Sequence, residues 1–274
     1  MSPTILIMLA VTFLASLLGP LCGIGGGVII KPVVDALGIL PVAEVSFLSG
    51  MSVLTMSLAT LGQDALARAS RRGPAAGEDA PSFRSLAPFA LGSAAGGVAG
   101  KFAFGRIASA LPDAELVGAV QAVTLICCAV LVLVYLSRRD RIEAPKLTGA
   151  AAKAVAGAAA GACWAFLGIG GGPFNVAILA FFFGMSSKPA ARASLFIIAC
   201  SQTASLAYLI ATASVPAVSL AALGGMCAMA VAGSVVGRRL QARLDSAAVD
   251  RLYWASLLLI IAISAYNVVR FLTA

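Results

Sequence analysis

Apolar stretches, separated by short polar segments, cover most of the chain. In the first half they run over Pro3–Cys22, Ile24–Ile39, Val42–Leu61, Leu86–Phe104 and Glu115–Leu136, and in the second half over Gly149–Leu167, Ile169–Met185, Ala190–Thr212, Ala217–Val236 and Ala247–Phe271. Nearly uncharged runs of about 20 residues match the length of a helix that crosses a bilayer. The pattern therefore predicts an all-α integral membrane protein with about ten membrane segments.

The second half repeats the first in the same order. GIGGG occurs at Gly23–Gly27 and again at Gly168–Gly172. Further matches pair Pro41 with Pro189, Ser46 with Ser194, residues 52–58 with residues 200–206, and the Gly-x3-Gly spacing of Gly96 and Gly100 with that of Gly233 and Gly237. We predict two repeats, residues 1–140 and 141–274, within one integral membrane domain.

The positions of Lys and Arg favour an inverted arrangement of these repeats. If each GIGGG run is a turn, the chain enters the membrane and returns to the same face, so each half crosses an odd number of times. Of the 19 Lys and Arg, all then fall on the cytoplasmic side except the membrane-embedded Lys31 and three outside, Lys101, Arg106 and Arg270. Eight simple spans in a parallel repeat would divide the charges almost evenly, contrary to the positive-inside rule. We therefore expect an external N-terminus and two glycine-broken helical hairpins that enter from opposite faces.

The glycine runs are the strongest candidates for a binding site. Glycine within a helix costs about 1 kcal/mol relative to alanine, and irregular backbone at membrane depth must line a cavity or be buried in protein. Pro173 follows the second run, as is typical of the first turn of a helix, whose free N–H groups attract anions. The expected ligands are Gly25, Gly26, Gly27 and Val28 in the first run and Gly170, Gly171, Gly172 and Phe174 in the second. The alternative is that the glycines serve only close helix packing.

Polar residues on the neighbouring segments are candidates to complete the site. Donors are expected from Ser46, Thr55, Ser194, Gln202 and Thr203, although single hydroxyls in membrane helices often bond back to their own helix. Four charged residues are candidates to attract the anion or to carry a proton, namely Lys31, Asp35, Glu44 and Arg192. The alternatives are an i, i+4 pair between Lys31 and Asp35 and snorkelling of Glu44 and Arg192 to the interface.

Composition narrows the function classes. The chain is 61% hydrophobic and 11% charged, and its longest polar stretch, Gly62–Arg84, is too short for a soluble domain. The net charge of +8 fits basic cytoplasmic loops better than nucleic-acid binding. There is no histidine, and none of the six cysteines forms a CxxC pair. We therefore predict no enzyme activity, no metal and no cofactor.

The two GIGGG copies, each followed by an apolar helix, and the repeat-matched polar helices resemble the sulfite exporter TauE/SafE family, also called TSUP or probable membrane transporter family. The glycine motif falls on Gly23 and Gly25–Gly27 and on Gly168 and Gly170–Gly172. Many relatives carry Gly-Thr in the helix that follows; here those positions read Val45-Ser46 and Ala193-Ser194. The hydroxyl is kept and the glycine is not.

The resemblance implies a secondary transporter of a small sulfur-containing anion, with sulfite export across the bacterial inner membrane as the leading function. Alternating access between the two repeats is the expected mechanism. The partners are the anion, the lipid bilayer and, as coupling ion, a proton; a homodimer stays open. The alternatives are a passive anion channel and a membrane assembly or structural protein without transport.

Overall fold

The structure, a computed structural model, describes residues 3–70, 83–110, 114–142 and 146–273. Within these ranges the regular elements are helical. They are α1 (Pro3–Cys22), α2 (Gly27–Leu37), α3 (Val42–Ser70), α4 (Phe83–Ala110), α5 (Ala114–Arg138), a 3₁₀ turn (Arg139–Arg141), α6 (Ala150–Leu167), α7 (Gly172–Phe183), α8 (Ser187–Ala211), α9 (Leu220–Gln241) and α10 (Ser246–Thr273). Arg71 and Arg72 of the charge distribution lie outside the described residues.

Each apolar stretch of the sequence corresponds to one of these helices, which confirms the all-α membrane fold. In the described part of the chain, 7 helices are both long and apolar enough to cross a bilayer. The largest boundary difference is in α3, which runs beyond the predicted Leu61 to Ser70. Asp64, in this extension, accepts a hydrogen bond from Arg238 of α9 at 2.7 Å, so the added turns are held by the opposite half.

Two glycine seams join the halves. On α4, Gly92, Gly96 and Gly100 lie against the backbone of α6, and a Cβ on any of them would overlap it. On α9, Gly233 and Gly237 lie in the same way against α1. Small residues allow this close backbone approach between membrane helices. Each half therefore binds the hairpin arm of the other half through its fourth helix.

The main contacts between helices recur between their counterparts in the other half. The α4–α6 contact corresponds to the α9–α1 contact, α4–α8 to α9–α3, and α7–α8 to α2–α3. Gly50 approaches Gln202, whereas Val53 and Met56, further along α3, cluster with the earlier α8 residues Leu195 and Ile198. α3 and α8 therefore run antiparallel. This direction is compatible with the inverted arrangement, because a parallel repeat would make them run the same way.

The two hairpins lie between these long helices. The first arms, α1 and α6, have 20 and 18 residues, whereas the second arms, α2 and α7, have only 11 and 12. At about 1.5 Å per residue, the first arms reach about 30 Å and the second arms about half of that. The glycine turns are thus buried inside the bundle.

Candidate functional site at the hairpin tips

The first tip is a left-handed glycine turn. After α1 ends at Cys22, Gly23, Gly25 and Gly26 have φ angles of 72°, 71° and 46°. L-residues with side chains rarely adopt this conformation, so the turn requires glycine at each position. Gly26 is the N-cap of α2 and provides no side-chain cap. Gly27 N–H donates to the Gly25 carbonyl and Ile29 N–H to the Gly26 carbonyl. In the described part of the chain, the Val28 N–H is thus the group of this first turn that is left for another partner.

The second tip repeats this geometry. Gly168, Gly170 and Gly171 have φ angles of 70°, 71° and 78°. α7 then begins at Gly172, with Pro173 in its first turn. Both GIGGG runs are buried throughout. α7 thus begins one residue before the predicted start at Pro173. Both glycine runs form the predicted turns.

The two tips touch each other. A Cβ on Gly172 would overlap the carbonyl group of Ile24 in the first tip. Reciprocally, a Cβ on Gly27 would lie 2.7 Å from the carbonyl oxygen of Ile169 in the second tip. Each helix start therefore faces the backbone of the opposite tip at a distance that only glycine permits.

Ser194 connects both tips. Its Oγ lies 3.0 Å from the carbonyl oxygen of Gly23 and 3.1 Å from that of Gly172, and shares its proton between them. The repeat counterpart, Ser46, lies beside Gly168: a Cβ on that glycine would be 2.7 Å from the Ser46 Oγ. The Ser46 Oγ is buried and has no hydrogen-bond partner among the described residues. One serine is thus bonded to the tips, and the other has a free donor next to them.

Besides the two serines, Gln202 places a polar side chain at the second tip. Its Nε2 would lie 3.1 Å from a Cβ on Gly170, and its side chain lines a cavity of about 20 Å³ between α3, α4 and α8. Ser46, Lys101 and Ser205 line the same cavity, and the Ser205 Oγ also has no partner in the described part of the chain. The cavity therefore combines a cation with several donors at one side of the second tip.

Thr55 and Thr203, which were predicted as donors, lie away from this cavity. Thr55 donates to the carbonyl oxygen of Met51 at 2.8 Å and lies 3.4 Å from the Cys227 sulfur on α9. Thr203 is exposed on the outside of the bundle. Since Gln202 precedes Thr203 by one residue, a turn of about 100° separates the two side chains on the helix.

The charged candidates fall into two classes. Lys31 and Asp35 form a buried ion pair with an Nζ–Oδ2 distance of 2.6 Å, and the Lys31 Cε would lie 3.3 Å from a Cβ on Gly168. Glu44, near the start of α3, is half-buried, and Arg192, near the start of α8, is exposed. The structure thus brings the first pair beside the second tip and leaves Glu44 and Arg192 near helix ends.

Val28 and Phe174 have a packing role in this structure. Val28 is fully buried behind the first tip. The Phe174 ring stacks on Trp164 with centroids 4.7 Å apart, and the Trp164 Nε1 donates to the Asn175 Oδ1 at 3.0 Å. These side chains fix the second tip, while the backbone N–H of Phe174 belongs to the first turn of α7.

Lys101, Trp164 and Asn175 were not predicted as site residues. Lys101 carried a signal, because it directly follows the Gly96-x3-Gly100 spacing that the repeat shares. Asn175 was also detectable, since a buried amide in an apolar segment needs partners.

The arrangement is suited to a small anion. A helix start carries a partial positive charge of about half an elementary charge, and two such starts meet here away from water. Lys101 and Lys31 lie to the sides, together with the hydroxyl of Ser46 and the amide of Gln202. In the described part of the chain, no group of three or more His, Cys, Asp or Glu is placed to hold a metal ion.

Comparison with known proteins assigns the chain to a family. No curated protein and no solved structure matched the chain. The family described as "Sulfite exporter TauE/SafE" matches residues 8–266, which is nearly the whole chain. The protein therefore belongs to the sulfite exporter TauE/SafE family of membrane transporters for sulfur-containing anions.

Proposed function

We propose that this protein is a secondary transporter that exports sulfite across the bacterial inner membrane. The observation that carries the proposal is the contact of two buried helix starts at the hairpin tips. Backbone N–H groups at a helix start bind oxyanions without a dedicated cation. Small size and several oxygen acceptors make sulfite, thiosulfate and sulfonates fit such donors, and the family supports this class of anion.

The anion would bind where the two tips now touch. Gly25, Gly26 and Val28 in the first tip and Gly170–Gly172 and Phe174 in the second would supply the backbone N–H groups, and Ser46 and Gln202 the side-chain donors. Ser194 would hold the tips together in the anion-free state, because its hydroxyl bonds both. Thr55 and Thr203 are left out of the proposed site, because their side chains point to α9 and to the outside of the bundle.

Binding requires the tips to separate. The carbonyl groups of Ile24 and Ile169 oppose the two helix starts at close range. An anion can only replace these carbonyl oxygens if one hairpin moves away from the other. Rocking of the two halves would provide this movement and would expose the site to one face at a time. The proton would be carried by Asp35 or by the anion itself, since sulfite takes up a proton to form the weak acid hydrogen sulfite.

The test is sulfite efflux from proteoliposomes that contain the purified full-length chain. Vesicles loaded with sulfite, thiosulfate, a sulfonate, sulfate or chloride would be diluted into anion-free buffer, with and without a pH gradient. We expect saturable efflux of sulfite that changes with the pH gradient. Non-saturable flux at channel-like rates would contradict the transporter, and absence of flux for all sulfur anions would contradict the function as a whole.

A matched pair of glycine variants tests the site. Gly26 and Gly184 both have left-handed φ angles, and a Cβ on Gly26 would meet its nearest atom only at 3.4 Å, whereas one on Gly184 would meet nothing within 4 Å. Gly26→Ala and Gly184→Ala therefore both place a Cβ at a positive φ, with more backbone strain at Gly26, where ψ is −44° rather than 27°, and only the first changes a tip. We expect G26A to weaken sulfite binding, measured as KM for efflux, by at least about tenfold, the effect of about 1.4 kcal/mol. Equal KM values in both variants would count against binding at the tips.

A further inference from the structure

Two cavities occupy repeat-related places beside the hairpins. The larger, of about 210 Å³, lies between α5, α7 and α10 and reaches Cys22, the last residue before the first tip. The smaller, of about 10 Å³, lies between α2, α5 and α10 and reaches Leu167, the last residue before the second tip. We call them the Arg139 cavity and the Lys31 cavity, after the cationic residue that lines each one.

The linings correspond under the repeat. Apart from Ile169, each residue that lines the Lys31 cavity has a repeat counterpart in the lining of the Arg139 cavity. On the short hairpin arms, Lys31, Pro32 and Asp35 correspond to Val176, Ala177 and Ala180.

α5 and α10, the last helices of the two halves, line the two cavities with residues that pair at one constant spacing along the sequence. Gln121, Ala122 and Leu125 of α5 match Val249, Asp250 and Tyr253 of α10. The same register pairs Ser264 with Leu136 and Asn267 with Arg139. The two cavities are therefore one feature of the fold that occurs twice, with a volume of about 210 Å³ in one copy and about 10 Å³ in the other.

Each cavity has one cation and one carboxylate, although the residues come from different positions. In the Lys31 cavity both charges lie on α2, where the counterparts on α7 are Val176 and Ala180. In the Arg139 cavity, Arg139 takes the place of Asn267, and Asp250 takes the place of Ala122. Lys31 and Asp35 are buried, and charged groups at such depth are costly without a function. Arg139 is exposed and Asp250 is half-buried, so this second pair lies where its cavity meets the surface.

The nearly closed Lys31 cavity contains polar oxygens without partners. Among the described residues, no hydrogen bond reaches Asp35 Oδ1, Gln121 Oε1, Ser264 Oγ or Asn267 Oδ1, and all four side chains are more than nine-tenths buried. The amide orientations are fixed, because Gln121 Nε2 donates to the Phe166 carbonyl at 2.6 Å and Asn267 Nδ2 to the Pro32 carbonyl at 2.8 Å. Buried acceptors without partners destabilise the closed state. An open, hydrated cavity would remove this cost.

Contacts from α10 hold the Lys31 cavity closed. Asn267 donates to the Pro32 carbonyl and Arg270 to the Asp35 carbonyl, so both bind α10 to α2. In the Arg139 cavity the counterpart of Arg270 is Ile142, whose side chain has no donor. The two copies thus differ in the bonds that close them.

We propose that the Arg139 and Lys31 cavities are the two vestibules through which the anion reaches the hairpin tips, one from each face of the membrane. In this structure the Arg139 vestibule is open and the Lys31 vestibule is closed. When the Lys31 vestibule opens, the Lys31 ammonium becomes the anion-attracting group on that side, as Arg139 is on the other. This inference rests on the proposed transport of a small oxyanion and assigns it an entry and an exit.

Side-specific thiol labelling tests the inference. In a full-length chain with its six native cysteines replaced, Ser264→Cys reports on the Lys31 vestibule and its counterpart Leu136→Cys on the Arg139 vestibule. A negatively charged, membrane-impermeant methanethiosulfonate is added to either face of sealed vesicles. We expect L136C to react from one face and S264C from the opposite face, at least about tenfold more slowly, because the open Lys31 vestibule belongs to a minor state.

Removing the α10 contacts that close the Lys31 vestibule should favour the state in which this vestibule is open. Arg270→Met, or Asn267→Ala if R270M does not fold, should raise the labelling rate of S264C and lower that of L136C. Leu131→Cys, on a lipid-facing and 69% exposed side chain, is the control and should react from neither face.

Three results would overturn the inference: reaction of both cysteines from the same face, no reaction of S264C even with R270M, or equal changes at both positions. Labelling needs no substrate. Absent sulfite flux with intact side-specific labelling would therefore refute the proposed anion and leave the two vestibules in place.

Discussion

Ser194 and Ser46 occupy matching repeat positions but differ in their bonds, so the same substitution should have different effects. Ser194→Ala removes the hydroxyl that bonds the carbonyl oxygens of Gly23 and Gly172. Ser46→Ala removes a buried hydroxyl without a partner among the described residues. The first change should therefore lower stability, and the second should lower affinity for the anion.

The magnitude for S194A follows from its two acceptors. Hydrogen bonds between membrane helices contribute about 0.6 kcal/mol on average and up to about 1.7 kcal/mol. Because one hydroxyl connects both tips, we expect a loss of about 1–2 kcal/mol in the free energy of unfolding. For a chain of this size that corresponds to a fall in Tm of about 2–8 °C.

The assay is thermal unfolding of the purified variants in one detergent, together with KM for sulfite efflux from proteoliposomes. We expect S194A to lower Tm, and S46A to leave Tm unchanged or slightly raised while KM increases. Equal losses of Tm in the two variants would refute the assignment of different roles to the two serines.

Two further substitutions test other parts of the site and fold. Lys101→Gln should raise KM for sulfite efflux with little change in Tm, because Lys101 lines the cavity beside the second tip; an unchanged KM would exclude it from the anion path. Gly96→Ala should lower Tm by more than about 5 °C, because its Cβ would overlap the α6 backbone, and overpacking costs about 1–3 kcal/mol or more. Gly224→Ala, where nothing lies within 4 Å of a Cβ, is the matched control, and a comparable Tm loss there would contradict the seam.

The sequence allowed the helices and both tips to be predicted, because the signals are local. Each apolar stretch became a helix, and glycines in the GIGGG runs adopt the left-handed angles that only glycine tolerates easily. The extension of α3 to Ser70 was missed, since the pairing of Asp64 with Arg238 joins residues of different halves. Such a partner has no signature in a local pattern.

The lining of the site was predicted less well. Thr203 and Gln202 are neighbours in sequence, yet only Gln202 faces the tips. In a soluble helix the polar face indicates the exposed side, but in a membrane helix both the lipid-facing and the protein-facing sides are apolar. Periodicity therefore does not decide which hydroxyl points inward. Pairing of Lys31 with Asp35, in contrast, follows directly from i, i+4 spacing and was identified.

The glycine seams have a consequence for how the protein is made. The arm α1 docks on α9, and α6 docks on α4, so the earliest helix waits for a partner that leaves the ribosome near the end of synthesis. Chains usually fold from the N-terminus as they emerge. Here the first hairpin must be held in the bilayer, with its glycine turn unsupported, until the second half has been inserted. A truncated chain that lacks α9 should accordingly be a substrate for membrane quality-control proteases.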